Sequence, residues 1–153
     1  MKRAVGNGVR FDWLTFDEGY GGRPEFLFLL EEMGQHYCCE VPANLMCWPT
    51  YPTHDSHQRP HQAKRADNAA ALGKPFRKQT WQRVELARQT LAPQQWPFDC
   101  AQWEVKAGQV HLQRDGQPTD RTYWLIVARN VATGEVKYFG SPPKSLMGSV
   151  GVL

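Results

Sequence analysis

No stretch of this chain approaches the roughly 20 consecutive apolar residues that a membrane-crossing helix needs. No basic-then-apolar leader opens it either, so neither a membrane partner nor secretion is expected. Cysteine is scarce: there are four, two of them adjacent, which makes no disulfide framework and points to a reducing cytoplasm. Cys38 and Cys39, consecutive in a strand, would face opposite sides and cannot chelate one ion together. Cys47 and Cys100 lack a CxxC partner, and all four read as small buried hydrophobes. An excess of one charge is missing as well, since 18 Lys and Arg against 15 Asp and Glu leave only +3 and exclude a polycation. Internal repeats are absent. The 153 residues suit one domain, or part of one with an insertion, and six Trp and seven Phe supply large groups for a core.

The chain is organised around residues 11–22, FDWLTFDEGYGG. Trp13, Leu14, Thr15 and Phe16 predict a short buried strand that runs into Asp17 and Glu18. A loop with glycines at 19, 21 and 22 should follow, because glycine tolerates φ > 0 without steric cost. A carboxylate at the carboxyl end of a strand sits where open α/β sheets place their ligands, so Asp17 is expected to lie exposed in a shallow cleft. Glu18 would face away, and Tyr20 would pack over the loop glycines. Next comes a helix: Pro24 suits a first turn, Phe26, Leu29, Leu30 and Met33 follow helical spacing, and Gly34 is a natural stop. Leu27 and Phe28 widen its apolar face. Tyr37 to Val41 then reads as a second strand ended by Pro42, and strand, helix, strand makes a parallel βαβ unit.

Composition shifts after Pro42. Residues 49–66 hold three prolines and histidines at 54, 57 and 61, and read as a loop. His54, Asp55, His57 and His61 resemble a metal cluster by residue type alone, whereas a Pro-rich loop fixes no ligand geometry. A short helix is expected over 68–72 and a strand over 84–88. From residue 103 the pattern sharpens to strands over 103–106, 109–113, 121–129 and 135–139. Turns at 107–108, 115–116 and 132–134 make them an antiparallel meander.

Two blocks carry a family resemblance. LTFDEGYGGRPEFL, residues 14–27, resembles the segment around the second catalytic aspartate of DDE transposases of bacterial insertion sequences, the DDE superfamily endonuclease type. WEVKAGQV at 103–110, WLIVARNV at 124–131 and GEVKYFGSPP at 134–143 resemble the second block, in the family's order and spacing, while residues 48–100 match loosely. The resemblance implies an α/β to α+β chain: a partial RNase H-like core (βαβ) over 1–47 and a basic, Pro/His-rich connection over 48–100. An antiparallel β-rich insertion over 101–143 and a truncated tail over 144–153 would follow. It also implies an enzyme that cuts and joins DNA at insertion-sequence ends, as an oligomer on that DNA. Three carboxylates would hold two Mg²⁺ (or Mn²⁺) ions for in-line displacement at phosphorus. Asp17 matches the second of the three, making it the candidate catalytic and metal-binding residue. The strand bearing the first aspartate is expected upstream, and no acid occurs in 144–153 where the glutamate helix should begin. The chain is therefore expected to be inactive alone, with Glu18 and Glu40 the nearest carboxylates should that expectation fail.

A second function class stays open. Between residues 59 and 88 eight Lys or Arg stand against Asp67 and Glu85, with Phe76 and Trp81 interleaved. Lys64, Arg65, Lys74, Arg77, Lys78 and Arg83 are the candidate DNA contacts of a small non-catalytic nucleic-acid-binding module, since cations neutralise phosphates and aromatics stack on bases. The same run also reads as a solvated charged loop, and a decayed reading frame without function is the third alternative. The Trp and Tyr at 103, 123, 124 and 138 read as sheet packing rather than as a stacking platform.

Overall fold

The computed structural model describes residues 12–53, 59–63, 81–83 and 103–143, with the Arg83 side chain left out. Leu14–Phe16 form β1, with Leu14 and Phe16 half-buried and Thr15 outward, the alternation of a strand with one covered face. Glu18–Gly21 form a single helical turn, α1, and Pro24–Glu32 form α2. Proline at the start of α2 has no N–H to leave unpaired. At its end Gly34 takes φ +66, its N–H reaching the Glu31 carbonyl and that of Gln35 the Leu30 carbonyl, both at 2.9 Å. These bonds satisfy carbonyls that the helix end would orphan. Leu27, Phe28 and Leu30 are buried. Tyr37–Val41 form β2, with Tyr37, Cys39 and Val41 on the covered face.

The remaining strands are β3 (Met46–Trp48), β4 (His61–Gln62), β5 (Gln82–Arg83), β6 (Trp103–Arg114), β7 (Gln117–Pro118), β8 (Tyr123–Asn130) and β9 (Val136–Ser141). All hydrogen-bond into one mixed sheet in the order β1-β2-β9-β8-β6-β3-β4, with β5 and β7 also pairing with β6. β1 and β2 run parallel, as the βαβ reading requires, and the other described pairs are antiparallel. The described chain is thus mixed α/β and strand-rich. Its meander is laid directly against the βαβ unit, where Cys39, Glu40 and Val41 pair with Gly140, Phe139 and Tyr138. One cluster of buried side chains fills the face covered by α2: Leu27, Phe28 and Leu30 meet Tyr37, Cys39, Val41, Val110, Leu112, Tyr123, Leu125, Val127 and Tyr138. No helix among the described residues is long and apolar enough to cross a membrane.

Three local expectations are corrected. The loop after Asp17 is the helical turn α1, and none of Gly19, Gly21 and Gly22 has positive φ. Glycine is needed there for space, since a Cβ on Gly21 would lie 1.9 Å from the Glu40 carbonyl oxygen. The turn expected at 107–108 is absent: β6 runs unbroken because β8 pairs with it continuously from Trp103↔Asn130 to Val110↔Tyr123. A small Ala-Gly pair allows a turn but does not compel one when a long partner strand continues the ladder. The 49–66 loop contains β4, paired with Met46 and Cys47 of a strand, β3, that the sequence reading left out. Tyr20 rests against the rings of Phe26 and Phe16, at 5.5 and 6.5 Å. The turns at 115–116 and 132–134 stand, with positive φ at Asp115, Gly116 and Gly134. The expected helix over 68–72 and strand over 84–88 lie outside the described residues.

Candidate functional site

Asp17 follows β1 directly and is exposed, with extended backbone (φ −78°, ψ 177°). Its Oδ1 accepts the Gly19 N–H at 3.1 Å, and its carbonyl accepts the Gly21 N–H at 3.0 Å. The side chain is therefore the N-cap of α1, which fixes its direction at the carboxyl end of the parallel pair. Oδ2 has no partner among the described residues. Glu18 is exposed beside it. Glu40 is not free to join it, being tied to Lys137 at 3.2 Å. The turn is held down from below, where Phe16, Tyr20 and Phe26 pack as rings and Gly21 sits against the backbone of β2.

A family model for the DDE superfamily endonuclease matches residues 1–99, which include this turn. The chain belongs to that family. No curated protein and no solved structure matches it. In this DDE-family chain the match takes in the βαβ unit and the connecting region and stops before β6, so the meander lies beyond it.

The chemistry of the family's metal ions sets a test for these residues. Two hard divalent cations need several carboxylate oxygens brought together. Asp17 offers a directed, half-satisfied carboxylate, but no three His, Cys, Asp or Glu side chains group as metal ligands among the described residues. His61 is half-buried in β4, while His54, Asp55 and His57 lie outside the described residues. Cys38 and Cys39 do face opposite sides of their strand. Burial pushes the Cys39 thiol up to about 12, and the Cys47 thiol likewise, so neither is a thiolate nucleophile or ligand near neutrality.

Of the candidate DNA contacts, Lys64, Arg65, Lys74, Arg77 and Lys78 lie outside the described residues. Arg83 is placed by its backbone, in register with Glu104 of β6. Two groupings escaped the sequence reading because each joins residues far apart in the chain. At the C-terminal end of α2, Glu31 accepts from Arg121 Nη1 at 2.8 Å and from the Tyr123 hydroxyl at 2.5 Å. These residues border a cleft of about 650 Å³ with Phe28, Arg114 and Thr119. At the start of β6, Lys106 and Arg129 both lie over the Trp81 ring.

Proposed function

We propose that this chain is a segment of a DNA transposase, and that Asp17 is one of the carboxylates around which the whole enzyme assembles its metal ions. The observation that carries the reading is the family match running through an exposed aspartate that is aimed, by its own capping bond, from the carboxyl end of β1. When bound, Mg²⁺ or Mn²⁺ would activate the attacking oxygen and stabilise the leaving one. Asp17 would lend one carboxylate to that task, and α1 would hold it in place. One such group neutralises one charge of a divalent ion and leaves most of its coordination to water. The chain by itself is accordingly expected to bind Mn²⁺ weakly and not to cut DNA.

The test is incubation of purified protein with supercoiled plasmid in Mg²⁺ or Mn²⁺, alongside Mn²⁺ titration followed by electron paramagnetic resonance. The expected result is no nicking and a weak Mn²⁺ signal that Asp17→Asn removes. Nicking by wild-type protein that vanishes in Asp17→Ala would show a complete site and overturn the inactivity. Mn²⁺ binding unchanged in Asp17→Asn would remove Asp17 from the metal site.

A further inference from the structure

The described cations do not all sit in solvent. Trp81 immediately precedes β5, which pairs with the start of β6 through Gln82↔Val105 and Arg83↔Glu104. The pairing lays the indole against the sheet, where it packs on the rim of the core. Lys106 of β6 and Arg129 of β8 lie on the same sheet face, since Lys106 stands opposite Val127 and Arg129 opposite Glu104. The Lys106 Nζ is 4.5 Å from the centre of the Trp81 ring and the Arg129 guanidinium carbon 4.2 Å. The two positive groups are thus no farther apart than those distances combined. Among the described residues one acid answers them: Glu104 Oε2 accepts from Arg129 Nη2 at 2.9 Å, and Lys106 makes no ion pair there. The backbone of Arg83 runs alongside.

We infer that Lys106 and Arg129, held by Trp81, form a phosphate-binding clamp for the DNA backbone. This rests on the reading of the chain as a DNA-acting transposase segment. Two like charges gathered at one ring and answered, among the described residues, by the carboxylate of Glu104 leave that described grouping net positive. An indole attracts cations through its negative face without neutralising them. It also restricts two long side chains in advance, so less of their freedom is lost when an anion arrives. The partner that fits is a polyanion with closely repeated charges. Sequence selectivity is not expected from it, because phosphate contacts position a duplex without reading it.

The experiment is fluorescence anisotropy of a labelled 30-base-pair duplex, in EDTA, between 50 and 200 mM salt. Each phosphate contact contributes about 0.9 to the salt slope. Lys106→Gln and Arg129→Gln should therefore each shrink the fall in affinity across that fourfold range by a factor of about 3.5. Lys106→Arg should keep the wild-type slope, and Glu104→Gln should bind more tightly than wild type although it loses an ion pair. Lys137→Gln is the control, because Lys137 pairs with Ala128 and so lies on the other sheet face; its slope should not change. Thermal melts identify any variant that has lost its fold. Folded Lys106→Gln and Arg129→Gln proteins with wild-type slopes would overturn the clamp and leave the transposase reading standing. A wild-type chain that binds no duplex at 50 mM salt would overturn both.

Discussion

A Cβ added to Gly21 would meet the Glu40 carbonyl oxygen at 1.9 Å, and that oxygen belongs to the backbone of a paired strand, which cannot step aside. At Gly34 nothing lies within 4 Å, and the only obstacle to a side chain is φ +66. The two glycines should therefore fail differently. Gly21→Ala is expected to cost about 1–3 kcal/mol, as overpacking does, and to displace the turn that Asp17 caps. Gly34→Ala should cost no more than about 1–2 kcal/mol, the strain of one left-handed residue. Urea denaturation of the two variants checks the ranking, and equal or reversed losses would refute it. The glycine run was legible in the sequence as a place where the backbone does something special. What it does was not, because crowding at Gly21 comes from a strand some twenty residues farther along.

The second helix shows how magnitude separates partners within one element. Arg121 and Tyr123 both bond Glu31, but the Arg121 side chain is 72% exposed whereas Tyr123 is buried. An exposed ion pair is worth about 0–1 kcal/mol, and a hydrogen bond from a buried hydroxyl to a charged group about 1.5–3. Arg121→Ala should then be nearly silent in chemical denaturation, and Glu31→Ala should cost about 1–3 kcal/mol. Adding Tyr123→Phe to Glu31→Ala should recover part of that loss by removing the stranded hydroxyl. A full-sized loss in Arg121→Ala would place the stabilisation in the ion pair instead. The helix itself was readable from its proline, its apolar spacing and Gly34, all local signals. The βαβ unit and the turns at 115–116 and 132–134 were readable for the same reason. β6 was not, since Ala107 and Gly108 look like a turn until the eight residues of β8 lie alongside. The position of Asp17 at the exposed end of its strand was readable because a strand end is also a local feature, whereas the helical turn that it caps was not. The Lys106, Arg129 and Trp81 grouping needs three strands to meet, and no spacing in the chain announces it.

For the whole molecule, the core buries acidic protons as well as apolar surface. Burial raises the thiols of Cys39 and Cys47 from 9.0 to about 12, the Cys39 thiol also by the neighbouring Cys38, and it raises the hydroxyls of Tyr37 and Tyr123 too. In the unfolded chain the thiols lose their protons from about pH 9, while the fold retains them to about 12. Their contribution is therefore complete below pH 9 and lost as pH rises from 9 to 12, because the unfolded state binds fewer protons there. Urea midpoints should stay level from pH 7 to 8.5 and fall between pH 9 and 11, with a shallower fall in Cys47→Ala. A level profile to pH 11 would mean that these thiols ionise inside the fold.

The described sheet ends in β1 at one edge and in β4 and β5 at the other, strands of three, two and two residues. A long flat edge is a template on which another chain can add a strand, and natural sheets guard against this by keeping edge strands short. Here an incoming strand would find only one or two ladder bonds before the backbone turned away, into α1 at one end and out of the pairing at the other. The described edges thereby offer little backbone on which the sheet could grow sideways.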